Sequence, residues 1–127
     1  MKSKSLMVAG AIFGFLAVAL GAFGAHALKA TLEANGSYAT WKTGVEYLQF
    51  QALALLVGGM LVSGRAARLL LFFWVCGILL FSGSLFGLSL GGPPWLGPVT
   101  PVGGTGLLAG WFFLGYRFFI TNRGSTS

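Results

Sequence analysis

The sequence is short of charge, and of acid above all. Its 127 residues carry eight basic and two acidic side chains, against a hydrophobic share of 56%. Soluble domains are about 25% charged; at 8% this chain cannot cover a water-facing surface, and its apolar surplus must face lipid. The scarcity of acid leaves a net charge of +6. The lysines and arginines nevertheless stand in ones and twos between long uncharged runs, not on one face, which excludes a nucleic-acid surface. A single cysteine, Cys76, excludes a disulfide framework and paired-cysteine metal motifs. Its place inside an apolar run predicts a buried small residue. A single histidine, His26, excludes two-histidine metal spacing, and no phosphate-binding glycine loop or nucleophile–base pattern is present. Neither an enzyme, a metal nor a cofactor is expected.

What the chain has in quantity is uncharged length. Residues 6–25 are free of charge over about the twenty positions that a helix needs to cross some 30 Å of hydrocarbon. A second apolar stretch covers about 45–63, with Glu46, Gln49 and Gln51 near its start. No charge falls between Arg68 and Arg117, too long a run for one helix, and all four prolines lie within it. "GGPPWLGPVTPVGG" therefore reads as a turn between a third span, about 69–90, and a fourth, about 104–120. The expected architecture is all-α, one domain over 1–127, a bundle of four transmembrane helices.

Four spans place both termini on one side. Lys2, Lys4, Arg65, Arg68, Arg117 and Arg123 share that side, against Lys29 and Lys42 on the other, which predicts cytoplasmic termini. Trp41 and Trp95 fall in the two outer loops, where indoles suit the interface. The outer segment 27–40 can form a short interfacial helix, with Leu28 and Leu32 on one stripe and Lys29 and Glu33 four apart as a pair.

Between apolar helices in lipid, association rests on close packing and polar links. Gly10 and Gly14, Gly83, Gly87 and Gly91, and Gly106 and Gly110 recur every four residues, so each set is expected on one packing face. Such a face serves either the chain's own helices or a partner, whether another membrane protein or a second copy.

The groups able to carry chemistry are few: His26, Lys29, Glu33, Lys42, Glu46, Gln49 and Gln51. Glu46 reads as lying in the first turn of its helix, where a carboxylate favours the positive dipole end, with Lys42 one turn before it. An ionisable residue within a span is also a functional candidate, with His26 as its possible partner. Gln51, one turn after Tyr47, can bond across to another helix.

Taken together, "GAFGAHALK" at 21–29, "WKTGVEYLQFQALAL" at 41–55, "LFSGSLF" at 80–86 and "TPVGG" at 100–104 closely resemble the YgdD/YwdK family of small bacterial inner-membrane proteins, a group labelled domain of unknown function 423. The resemblance implies a four-span protein of the bacterial inner membrane and supplies no reaction. Where the family usually has a histidine in its "HALAL"-like motif, this chain has Gln51, which preserves hydrogen bonding but not histidine proton or metal chemistry. Three functions are therefore expected, in this order: an accessory, interaction or membrane-stabilising subunit; a small oligomeric transporter or channel using Glu46, His26 and Gln51; and a site for lipid or a hydrophobic cofactor beside Trp95 and Trp111.

Overall fold

The structure is a computed structural model describing residues 2–125, with the side chains of 122–125, Arg123 included, outside the described part. Among the described residues it is wholly helical: α1 (Lys4–Ala25), α2 (Lys29–Ala34), α3 (Tyr38–Leu61), α4 (Gly64–Ser89) and α5 (Val99–Ser125), with a 3-10 turn at Pro94–Leu96. Helices α1, α3 and α4 are long and apolar enough to cross a membrane. Helix α5 has 27 residues, but its first half is rich in glycine and threonine and includes Pro101, and the same standard does not select it.

The helix ends follow local chemistry. The Ser3 hydroxyl accepts the Leu6 N–H at 3.3 Å and caps α1. Helix α3 passes to α4 through Val62 and Ser63 alone, and Gly64 makes the reversal with φ +64°, which a side chain rarely adopts. Arg65 and Arg68 thus fall at the start of α4, where the dipole disfavours cations; interfacial placement of charge outweighs that small term. The proline-rich turn is shorter than the sequence suggested. Pro101 is the third residue of α5, where its missing N–H would have had no helical partner.

Helix α3 is central. It packs against α1 on one side and α4 on the other, α5 packs on α4, and α1 scarcely meets α4. Glycine sets these distances. A Cβ on Gly10 would fall 2.8 Å from the Ala52 carbonyl oxygen, and one on Gly103 2.6 Å from that of Gly77. The backbones at both crossings therefore touch in a way that side chains would forbid, the main source of helix affinity where lipid competes equally for apolar surface. A Cβ on Gly14 would fall 3.9 Å from the Ala52 Cβ and one on Gly106 3.4 Å from the Gly77 Cα, and Gly110 lies under the Trp74 indole.

Several expectations are corrected. Gly83 faces outward with nothing within 4 Å of its Cβ position, while Gly87 meets Leu96 and Gly91 is a turn residue with φ +88°. Those three do not form one packing face, because α4 presents Gly77 to α5 instead and has ended by Gly91. Cys76 is exposed on the face of α4 that looks into the opening toward α1, not buried. Trp41 lies in the first turn of α3 and is buried, since α3 begins seven residues before the expected span and takes the indole into the bundle. Lys29 and Glu33 both lie on α2 but form no ion pair.

Candidate functional site

The polar candidates do not converge. The contacts between α1 and α3 keep one antiparallel register, with Gly24 against Trp41, Gly21 against Val45, and Gly59 against Met7. On that register Glu46 lies level with Leu20, about six residues or some 9 Å along the axis from His26. His26 caps α1, its N–H donating to the Ala22 oxygen at 3.1 Å, and its imidazole is exposed beside Phe23 and Ala27. Glu46, Lys29, Lys42 and Gln49 are exposed as well, and no ion pair joins any of them to another of the described residues. Glu46 is the ninth residue of α3 and not in its first turn, so the dipole argument for it fails. Among the described residues no three of His, Cys, Asp and Glu come together.

Gln51 is different. It is 1% exposed, just past the middle of α3, and its Oε1 accepts the Trp111 indole N–H at 3.4 Å. An indole only donates, so the amide oxygen must face Trp111 and the amide nitrogen must face elsewhere. That nitrogen has no hydrogen-bond partner among the described residues. A buried, unmet donor costs about 1–3 kcal/mol.

Gln51 lines a cleft of about 600 Å³ between α3, α4 and α5, open on the side where α3 and α5 are not packed backbone to backbone. Its walls are aromatic: Tyr47 and Phe81 lie 4.7 Å apart, and Trp111 stacks on Phe50 at 5.4 Å and tilts against Trp74 at 4.9 Å. Thr105 and Tyr47 also bring hydroxyls to the lining, and that of Thr105 is already spent on the Pro101 carbonyl at 2.9 Å. The cleft therefore offers a flat, uncharged, apolar space of the size usual for small-molecule sites, with the Gln51 amide as its buried, unmet donor. Trp95 takes no part: it is exposed on the 3-10 turn, so the expected groove beside Trp95 and Trp111 is a cleft at Trp111 alone. Glu46 and Gln51 are five residues apart, about 140° around α3, and face different surroundings.

The stretches that carried the resemblance turn out to touch one another. Trp41 Nε1 donates to the Leu20 oxygen at 3.0 Å over Gly24, and Ser82 Oγ donates to the Gly44 oxygen at 2.8 Å. Ser84 and Thr100 share a hydroxyl–hydroxyl bond, and Gly103 lies against the backbone of Phe81. Ser37 Oγ donates to the Ser89 oxygen at 2.6 Å, joining the α2–α3 connection to the end of α4. These residues join helices. Sequence reading passed over the serines because an isolated Ser in an apolar run has no periodicity, and it passed over Gly77 because its partners lie on another helix. For the cleft a signal did exist: Tyr47, Phe50, Gln51 and Ala54 share one helical stripe.

A lipid-facing helical bundle, joined by glycine contacts and hydroxyl–carbonyl bonds and holding one buried amide at an apolar cleft, defines the class: a small polytopic membrane protein. Residues 20–104 match the family described as "Protein of unknown function (DUF423)". The chain belongs to that family. It is 43% identical over 122 residues to a UPF0382 membrane protein of Haemophilus influenzae, covering 94% of this chain and 96% of that one. To the UPF0382 inner membrane protein YgdD of Escherichia coli it is 43% identical over 117 residues, covering 87% of this chain and 86% of YgdD. The UPF0382 membrane protein YwdK of Bacillus subtilis is 39% identical over 118 residues, at 87% and 93% coverage. No solved structure matches the chain.

Proposed function

We propose that this is a four-span accessory protein of the inner membrane, with cytoplasmic termini, that acts by binding and not by catalysis, and that its working element is the cleft at Gln51. The single observation that carries the reading is the unmet Gln51 amide nitrogen at a cleft walled by Tyr47, Phe50, Phe81 and Trp111. A neutral donor in an uncharged cleft selects a neutral acceptor, and aromatic walls select a flat apolar body. The occupant is accordingly a lipid-soluble molecule bearing a carbonyl-type oxygen, delivered to or held for a membrane-protein partner.

Helix α5 supplies the fourth span: it is uncharged from Val99 to Tyr116, and Arg117 falls where the cytoplasmic boundary is required. Transport through Glu46, His26 and Gln51 has less support, since the three face different surroundings. The test is organic extraction and mass spectrometry of protein purified from native membranes in mild detergent. A neutral, carbonyl-bearing species at near-equal amount in the wild type, lost from Gln51→Leu, is the expected result. Equal lipid profiles in both proteins overturn the reading.

A further inference from the structure

A second opening lies on the other side of the bundle and is chemically unlike the first. Helices α1 and α4 both run away from the end of the molecule where Ser3 N–H bonds the Gly59 oxygen at 2.8 Å, but they diverge on either side of α3 and leave a groove of about 710 Å³. One wall is the stripe Lys4, Val8 and Ile12, and the other is Arg68, Phe72 and Cys76. Each is spaced by four, so both grooved faces carry a cation at the same end and apolar side chains beyond it. From cation to last apolar residue each stripe runs about 12 Å, much of one leaflet's hydrocarbon depth.

Lys4 and Arg68 are exposed and have no ion-pair partner among the described residues. The chain's two acidic side chains cannot supply one: Glu33 is on α2, at the far end, and Glu46 is in the outward half of α3. Both helix starts add positive dipole ends beside the two cations. An open apolar groove in a bilayer is filled by acyl chain, and here the charge at its mouth decides which lipid supplies it.

We infer that the α1–α4 groove is a binding site for a phospholipid with an anionic headgroup, its phosphate held between Lys4 and Arg68 and an acyl chain lying along Val8, Ile12 and Phe72. The test is native mass spectrometry of the full chain released from nanodiscs of phosphatidylglycerol and phosphatidylethanolamine with matched acyl chains. The wild type should retain phosphatidylglycerol preferentially. At about five-fold per cation, Lys4→Gln with Arg68→Gln should cut that preference by more than ten-fold. The neighbouring pair Lys2→Gln with Arg65→Gln, outside the groove lining, should preserve most of it. Ile12→Trp, which fills the groove and leaves every cation in place, should release the lipid as well. The proposal is overturned if the wild type shows no preference, if both cation pairs lower it equally, or if Ile12→Trp retains the lipid.

Discussion

Trp74 and Gly110 fit together as knob and notch. The indole of α4 lies so close over α5 that a Cβ on Gly110 would fall 2.3 Å from Nε1, and that nitrogen donates to the Leu107 oxygen at 3.3 Å. Trp41 and Gly24 repeat the device between α3 and α1, with Leu20 as acceptor. In each case the missing side chain admits the largest residue of the core, and the carbonyl of the same helix satisfies the one polar atom that residue brings. An aromatic can then be fully desolvated in lipid without leaving a donor unmet.

Gly110→Ala should therefore destabilise the bundle by about 1–3 kcal/mol, the usual cost of overpacking a tight contact. Gly83→Ala, with open space around its Cβ position, should be neutral or slightly stabilising. Reversible unfolding of both variants in mixed micelles measures the difference.

Ser82→Ala removes the bond to the Gly44 oxygen but leaves no cavity of consequence. Interhelical hydrogen bonds in membranes average about 0.6 kcal/mol, so the loss should be smaller than that of Gly110→Ala in the same unfolding assay.

Gln51→Leu removes a buried donor that has no partner but also the acceptor of the Trp111 indole N–H, so the two terms should offset and leave the ligand-free fold within about 1 kcal/mol of the wild type. Gln51→Ala, which also opens space behind Trp111, should instead cost about 2 kcal/mol or more. A wild-type protein more stable than Gln51→Leu by about 3 kcal/mol or more after delipidation would show that the amide nitrogen is satisfied within the fold.

His26→Ala and Glu46→Gln should be additive within about 0.5 kcal/mol in a double-mutant cycle, as for residues without a shared partner. A larger coupling energy would place the two side chains in contact and revive a joint role.

Cys76 lies midway along α4 on an exposed face. In intact membranes it should resist water-soluble maleimides and react fully once the protein is denatured, because a charged, water-soluble reagent does not enter the hydrocarbon layer. Rapid labelling in intact membranes would mean that water reaches that face.

The sequence by itself determined the membrane class, the long helices and the family. Those follow from uncharged length and from a scarcity of charge that no tertiary arrangement can hide. It also placed the helix starts loosely, since apolarity marks where lipid begins and not where hydrogen bonding begins. Helix α3 therefore starts at Tyr38, and Glu46 moved from a helix end to its body. Only the tertiary structure decided which small residues pack. Gly83 and Gly110 share the same four-residue spacing, but one faces open space and the other an indole, because a stripe says that a face exists and not what lies opposite it. The same holds for the polar groups. His26 and Glu46 are near in sequence position relative to a helix hairpin, but the register of α1 on α3 keeps them apart. Gln51 reads as ordinary interhelical glue until the gap between α3 and α5 shows that half of its amide meets nothing.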